Sequence, residues 1–429
     1  MEFVALLVAL AAAGFSMYRD RRSPLAWSLC LWAGIFLLYL LQPIRFEPLN
    51  WVTLIAISLG LIGLAAPSFL PHLKPHVARQ GDRKLAFRRF LVVTIVIFAL
   101  FVIGVIAFRA GVANAAGEAY EHLSLKEIRA AQNTVARGGG PVVLLAALGP
   151  VVSCLGVYGA YRFSRWWWLI SVAAFGLVAQ NPARINLLTL LVVTVVFWLY
   201  ARQSLAKDDH PPGRKPFPIY VYVIMGVAVI AGLVYFTVVG ASLSKNDTAT
   251  EYSNWLPGWI AAPVLYFMGG IAAFSSATRM GVDPFQWGTT IFTPLKLVNA
   301  VFPDVHVPNT IAGAVHSPMW FNVYTGFGQM WFDFGYVGVF VLSAILGTLA
   351  LYAHRRGEQG SMEWAWVAAS SAALLFSLPQ AFRLFNLDVL FQLALGAAAF
   401  YIIRWPGFRR RTPAKQPADA ACADNENQR

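Results

Sequence analysis

Long apolar runs recur along this chain and restrict the folds open to it. They measure about 17 to 25 residues, the length that a helix needs to cross roughly 30 Å of hydrocarbon. The composition agrees, since 58% of the 429 residues are hydrophobic and only 12% are charged, whereas soluble domains carry about 25% charged residues. The runs lack the alternation of β-barrel strands. The sequence therefore predicts an all-α polytopic membrane protein.

About eleven of these runs are expected to span the bilayer. They lie near residues 3–18, 25–42, 49–70, 90–108, 141–160, 166–182, 185–201, 217–239, 329–352, 362–380 and 385–403. Residues 1–404 would form one transmembrane domain, and the polar tail 405–429 is expected to be disordered. The first run is followed, not preceded, by basic residues, so we expect an uncleaved helix and not a signal peptide.

Charged residues predict the orientation of these spans. Connections on one side hold 23 of the 33 basic and 9 of the 20 acidic residues, a net charge of +14, and the other side has a net charge of −1. Basic residues are retained on the cytoplasmic side. The N-terminus is therefore predicted to be periplasmic and the C-terminus cytoplasmic. Because this sorting accounts for the basic excess, no nucleic-acid partner is expected.

Two long loops are predicted on the outer side, over residues 110–140 and 240–327. In the first, Ser124 and Glu127 have the spacing of a capping box, which predicts a short helix. The second contains an apolar helix at 259–278. We interpret it as re-entrant or surface-lying, because a further crossing would reverse the charge sorting of all later connections. The prolines that follow, up to Pro318, predict an ordered non-helical cap.

Basic residues on the outer side are candidates to bind an anionic ligand. The strongest are Arg129, Arg184, Arg279, Lys296 and Arg383. Guanidinium groups bind phosphate oxygens bidentately, and a helix N-terminus such as the one at Arg184 adds positive potential. Each residue alone has an ordinary explanation, such as snorkelling at a helix end or solvation in a loop. Together they predict a site for a diphosphate.

Three further side chains are candidates for chemistry or for structure. His316 and Glu127 are the candidates for a general base, and a surface position without a role remains the alternative for the histidine. Asp333 lies about a turn inside the ninth span, where carboxylates are functional candidates; we favour a structural ion pair. The sequence has no phosphate-binding glycine loop, dinucleotide fingerprint or metal-ligand spacing, so neither a cofactor nor a metal is expected.

One segment resembles a known family. Asn322-Val-Tyr-Thr, then Phe332-Asp-Phe-Gly335 and a glycine-rich helix through Gly338 and Gly347, resembles the bacterial oligosaccharide repeat-unit polymerases of the O-antigen polymerase type. The run 266–274 and the position of Arg184 ahead of a leucine-rich stretch are also similar to that family. In layout the resemblance covers residues 129–386.

The resemblance implies a bundle similar to the GT-C glycosyltransferases in a bacterial inner membrane. Such an enzyme takes a glycan from undecaprenyl diphosphate at the periplasmic face and joins it to the next lipid-linked repeat unit, without metal or nucleotide. The products are O-antigen, capsule or exopolysaccharide. The implied partners are undecaprenyl-diphosphate-linked oligosaccharides and the bilayer, with a chain-length regulator and a flippase beside them.

Site residues follow from the same resemblance by position. His316 matches the loop histidine of the related O-antigen ligases, and Arg184 and Arg279 match their arginines. Asn322 and Tyr324 become substrate-binding candidates. Several aromatic residues either stack on sugar rings or belong to the interfacial aromatic belt: Trp255, Trp259, Trp287, Trp320, Tyr324 and Trp331.

Two alternative functions stay open. A ligase would transfer the finished glycan to lipid A core or to a protein, and the sequence barely separates it from a polymerase. A transporter or flippase for lipid-linked oligosaccharides would show polar residues at mid-membrane and two related halves. Most spans here are apolar to their centres, which favours a transferase.

Overall fold

The computed structural model describes residues 2–70, 83–138, 140–180, 184–205, 234, 237–238, 249–285, 288, 290–305, 315–317, 320–321 and 323–404. The helices bounded within these ranges are α1 Glu2–Arg19, α2 Pro24–Leu41, α3 Trp51–Ala65, α4 Arg83–Ala116, α5 Leu125–Gly138, α6 Gly140–Val143, α7 Gly149–Arg162, α8 Trp168–Ala179, α9 Arg184–Leu205, α10 Gly258–Arg279, α11 Phe292–Val301, α12 Gly326–Glu358, α13 Met362–Ser377 and α14 Leu387–Arg404. Two short strands, β1 Val315–His316 and β2 Trp320–Phe321, form an antiparallel pair. The predicted tail 405–429 and almost all of the predicted span 217–239 lie outside the described residues.

Nine helical stretches in the described part of the chain are long and apolar enough to cross a membrane. Eight of them coincide with predicted spans, and the ninth is α10. The predicted spans near 166–182 and 362–380 form the shorter helices α8 and α13. The chain is therefore an all-α polytopic membrane protein, as its composition predicts.

One end of the bundle, which we call the basic end, consists of the α1–α2 turn, the C-terminal turns of α9, α12 and α14, and the start of α13. Arg19 Nε donates to the carbonyl of Ser68 at 3.1 Å, which joins the end of α1 to the end of α3. Arg404 forms an ion pair with Glu363 at 3.7 Å. These contacts bring together many of the basic residues that the sequence assigns to the cytoplasmic side.

The opposite end, which we call the cap end, consists of the α2–α3 connection at 42–50, the α13–α14 turn at 378–386, the strands and both ends of α10. Just before α10, Asn254 N donates to Pro43 O at 2.9 Å. Near the other end of the helix, Asn50 N donates to Ser275 Oγ at 3.0 Å. A helix of 22 residues is about 33 Å long. Both ends of α10 nevertheless contact the same short connection, so α10 begins and ends at the cap end.

Two large apolar clusters form most of the interior of the described residues. The first joins α1, α2 and α3 to α10, α12 and α13, and the second joins α4, α7, α8 and α9 to α12, α13 and α14. Helix α12 packs against α3 at close range, because a Cβ at Gly347 would meet the Leu64 carbonyl oxygen at 2.5 Å. Small residues allow such close contact between membrane helices. The first cluster lies directly beneath the cap-end elements.

Helix α12 is interrupted, which its sequence did not predict. Gly335 has φ 62° and ψ −160°, a backbone conformation outside the helical region. A Cβ at this position would lie 3.2 Å from the ring of Phe285, and positive φ favours glycine. The predicted span 329–352 therefore divides into a cap-end part, 326–334, and a longer part that continues to the basic end.

The proline-rich stretch after Arg279 is partly helical, so the prediction of a non-helical cap is wrong there. Helix α11, Phe292–Val301, contains Pro294. Proline is tolerated in the first turn of a helix because the N–H groups there have no intrahelical partner. The first residues of the predicted outer loop 110–140 are helical, since α4 continues to Ala116.

Candidate functional site

The segment that carries the family resemblance is bonded to two other parts of the cap end. Thr325 N donates to Gly270 O at 3.1 Å, which attaches it to the middle of α10. Thr325 Oγ1 and Gly326 N donate to Leu378 O at 3.0 and 2.7 Å. The start of α12 is thus fixed between α10 and the α13–α14 turn.

Two positions in this region, one glycine and one glutamine, require the residues that occupy them. A Cβ at Gly270 would lie 2.7 Å from Pro379 O and 3.1 Å from Thr325 N, so this glycine lets two backbone segments approach α10. Buried Gln329 accepts a hydrogen bond at Oε1 from Phe382 N at 2.6 Å. Both observations give a structural reason for residues in the resembling segments.

Asp333 is fully buried and holds a loop in place. Its Oδ1 accepts from Gly288 N at 3.0 Å, and its Oδ2 accepts from Thr290 N at 2.6 Å and Thr290 Oγ1 at 2.5 Å. Hydrogen bonds to a charged group contribute about 1.5–3 kcal/mol each. The described bonds give Asp333 a structural role two residues before the break at Gly335; its pairing with an arginine stays a prediction.

His316 contacts the last turn of α10, and Arg279 is the last residue of that helix. His316 is exposed on β1, and its carbonyl oxygen accepts from Ser276 Oγ at 3.5 Å. Ser276 and Arg279 are three residues apart and therefore neighbours on the helix surface. Arg279 forms an ion pair with Glu47, whose side chain is 68% exposed. Two residues selected from the sequence thus belong to one corner of the cap end.

Arg383 lies in the α13–α14 turn, also at the cap end. Its Nη2 is 3.0 Å from Asp388 Oδ2, and its side chain is 17% exposed. The preceding residue, Phe382, is the one whose N–H binds Gln329. The turn that carries Arg383 is consequently fixed to the first turns of α12.

Glu127 and Arg129 lie on α5. The apolar side chains of α5 pack against α4 in a separate cluster, whose described residues include none from α10 or from the strands. Ser124 N donates to Glu127 Oε2 at 2.7 Å, and Glu127 N donates to Ser124 Oγ at 3.4 Å, which confirms the predicted capping box. The hydrogen bond from the Ser124 side chain holds the pKa of Glu127 below its usual value. Exposed Arg129 donates to Gln132 at 3.0 Å.

Four candidates remain, and the structure describes the side chain of one of them, Tyr324. Tyr324 is fully buried against Phe332, with ring centroids 5.3 Å apart, and burial raises its pKa to about 12. Arg184 is the first residue of α9 and Lys296 lies within α11. The side chains of these two residues, and the whole of Asn322, lie outside the described residues.

A polar cluster at the basic end was not identified from the sequence. Buried His354 has Nδ1 2.5 Å from the hydroxyl of Tyr200, and Nε2 2.9 Å from Asp20 Oδ2 and 3.7 Å from Glu358 Oε2. Burial is the largest single effect on Asp20 and opposes its charged form. The hydrogen bond and charge interaction with His354, the Arg22 N–H and the charge of Arg355 together outweigh burial and hold the pKa of this carboxyl below its usual value. The spacing of His354 and Glu358, four residues on one helix, was the available signal.

Comparison of the chain with known protein families, with curated proteins and with solved structures finds no match. Its function must therefore be inferred from the contacts at the cap end and from the resemblance in residues 322–335. The contacts bring His316 and Arg279 to the same helix turn, and they assign Glu127 and Arg129 to another cluster.

Proposed function

We propose that this protein is a glycosyltransferase that joins polyprenyl-diphosphate-linked oligosaccharide repeat units at the cap end, as in the O-antigen polymerase type. The observation that carries the proposal is the contact of β1 with the last turn of α10. This contact joins the backbone of a candidate base, His316, to the helix turn that ends with a candidate diphosphate ligand, Arg279. The resemblance of residues 322–335 supplies the reaction class.

The cap end would face the periplasm. The basic end holds the arginines that the positive-inside rule assigns to the cytoplasm, and α10 starts and finishes at the opposite end. We therefore take α10 as a re-entrant or surface-lying helix in a GT-C-like bundle of about eleven spans. The predicted span 217–239 falls between α9 and α10 in the chain and lies almost entirely outside the described residues.

Arg279 is suited to neutralise the leaving diphosphate. Its ion pair with Glu47 is exposed, and exposed pairs contribute only about 0–1 kcal/mol. Diphosphate oxygens can replace the Glu47 carboxylate at little cost and engage the guanidinium bidentately. Arg383 is the second cap-end guanidinium. Fixed positive groups that meet developing charge in a dry site stabilise a transition state by about 3–4 kcal/mol each.

The proposed step balances without a cofactor. A hydroxyl oxygen of the acceptor sugar attacks the anomeric carbon of the donor, and the bond from that carbon to the diphosphate oxygen breaks. Neutral His316 accepts the hydroxyl proton, and polyprenyl diphosphate leaves with the bonding electrons. Glu127 is the weaker candidate base, because a lowered pKa reduces proton affinity and because its carboxylate caps α5.

Chain-length analysis of surface glycans tests the proposal in cells. The gene is deleted and restored as the Arg279→Ala variant or as an Arg45→Ala control. Arg45 is an exposed arginine of the α2–α3 connection, which also contains Glu47, and it donates to Asn254 at 3.0 Å. We expect Arg279→Ala to lose long chains and Arg45→Ala to keep them at equal protein levels. A normal ladder from Arg279→Ala would contradict the proposed role.

The deletion itself separates polymerase from ligase. Loss of a polymerase leaves single repeat units attached at the surface, whereas loss of a ligase leaves none. A Glu47→Gln variant provides a further control, since the proposed diphosphate displaces this carboxylate. We expect it to retain long chains.

A further inference from the structure

Three residues from two elements bring metal-ligating atoms together at the basic end. Asp20 comes from the α1–α2 turn, and His354 and Glu358 come from the last turns of α12. Their ligand atoms, one imidazole nitrogen and two carboxylate oxygens, all lie within 4.8 Å of one another. No other such group of three occurs among the described residues. None of these residues takes part in the proposed transfer reaction.

Two of the three separations between ligand atoms are close to those around a single bound ion, and the third is below 4.8 Å. His354 Nε2 is 2.9 Å from Asp20 Oδ2 and 3.7 Å from Glu358 Oε2. Ligand atoms that bind Zn²⁺ tetrahedrally at about 2.0–2.1 Å stand roughly 3.3 Å apart. The two distances bracket this value, so small rotations of the carboxylates would complete three positions.

The charges of the group also favour a cation. Nε2 of a neutral imidazole carries at most one proton, yet two carboxylates converge on it. Arg355 and the Arg22 N–H already stabilise the Asp20 carboxylate, and a divalent ion at this point would bind both carboxylates directly. The mixture of one nitrogen and two oxygen ligands suits Zn²⁺, whereas Mg²⁺ and Ca²⁺ prefer oxygen alone.

The surroundings of His354 resemble the second layer of a metal site. Metal-bound histidines almost always use their other ring nitrogen in a hydrogen bond that fixes the ring. Here the Tyr200 hydroxyl lies 2.5 Å from Nδ1. A small hollow adjoins the group, and its lining includes His354, Glu358, Gln203 and Arg22.

We propose that Asp20, His354 and Glu358 form a binding site for a divalent transition-metal ion such as Zn²⁺. The ion clamps the α1–α2 turn to the end of α12. The carboxylates are partly exposed and His354 is buried. An ion that enters from solvent therefore binds the carboxylates first and the imidazole afterwards. The site is independent of the proposed glycan transfer at the other end of the bundle.

Calorimetric titration of the full-length protein in detergent, after chelator treatment, tests the site with Zn²⁺ alone. We expect one tight Zn²⁺ per chain. Glu358→Gln and Asp20→Asn, which keep shape but remove charge, should each weaken binding at least tenfold. Glu363→Gln is the matched control, a carboxylate of the same end with similar exposure that pairs with Arg404. It should leave the affinity unchanged.

Two measurements on the unaltered protein make the test independent of variant folding. Zn²⁺ should raise its unfolding temperature, since a ligand that binds only the folded state stabilises it, and Mg²⁺ at the same concentration should not. Co²⁺ should give the visible absorption of a mixed nitrogen–oxygen site. Absence of tight Zn²⁺ binding by the unaltered protein would overturn the proposal, as would equal weakening by Glu363→Gln and Glu358→Gln.

Discussion

The two ends of helix α12 use polar side chains in different ways. At the cap end they bind backbone atoms, as when Asp333 accepts from the N–H groups of Gly288 and Thr290. At the basic end His354 instead binds the side chains of Tyr200 and Asp20, although Arg355 beside it donates to the Leu70 carbonyl. One helix thus holds loops in place at one end and gathers ligand-type atoms at the other.

The difference indicates how each end could act. A side chain that binds main-chain N–H or C=O groups fixes the path of a loop whatever residues the loop carries. The cap-end loops can therefore present Arg279 and exposed His316 to a large substrate. Side chains that converge on one imidazole instead create a small charged site. The first arrangement suits a glycan, and the second suits an ion.

The largest expected effect separates chemistry from stability at the cap end. His316→Ala should reduce the transfer rate by about 10²–10⁴-fold, the usual contribution of a general base, without changing the unfolding temperature. His122→Ala, at an exposed histidine of the first predicted outer loop, should have neither effect. Equal rates for the two variants in a turnover assay would remove His316 from the mechanism.

A second variant tests whether buried Asp333 holds the cap. Asp333→Ala leaves two buried N–H donors and a hydroxyl without this acceptor, at about 1–3 kcal/mol each. We expect a loss of at least about 3 kcal/mol in the free energy of unfolding, seen as a lower unfolding temperature in detergent. Asp283→Ala, at an exposed carboxylate before the same loop, should change little. If both variants behaved alike, the cap end would not depend on this bond network.

A third and smaller effect concerns the close approach at α10. Gly270→Ala places a Cβ 2.7 Å from Pro379 O, and such overpacking costs about 1–3 kcal/mol. Gly34→Ala in α2 meets nothing within 4 Å, and alanine there should stabilise the helix by up to about 1 kcal/mol. Opposite shifts in unfolding temperature are expected. A stabilised Gly270→Ala variant would contradict the packing of the α13–α14 turn against α10.

Local features of this structure could be predicted from the sequence. The capping box at Ser124 depends on residues three apart, and the apolar helices depend on runs of about 20 residues. Asp333 could be selected because a carboxylate inside an apolar run is rare. Its partners could not, because Gly288 and Thr290 are more than forty positions away.

Features that need distant contacts could not be predicted. His354 forms hydrogen bonds with Tyr200 and Asp20, which are 154 and 334 positions away in the sequence. Sequence spacing therefore does not predict this cluster. The break at Gly335 depends on the ring of Phe285, and an apolar pattern gives no sign of it. Prolines favour a non-helical interpretation of the stretch that contains the helix Phe292–Val301. Pro294 lies in the first turn of this helix, where proline is tolerated.

The most direct test of the account is turnover by the purified protein of a defined polyprenyl-diphosphate-linked repeat unit. The account predicts a ladder of longer glycans, with one polyprenyl diphosphate released for each new linkage. It also predicts full activity for Arg45→Ala and a rate about 10²–10³-fold lower for Arg279→Ala. A folded wild-type protein that leaves the donor unchanged, or an Arg279→Ala variant as active as the wild type, would contradict it.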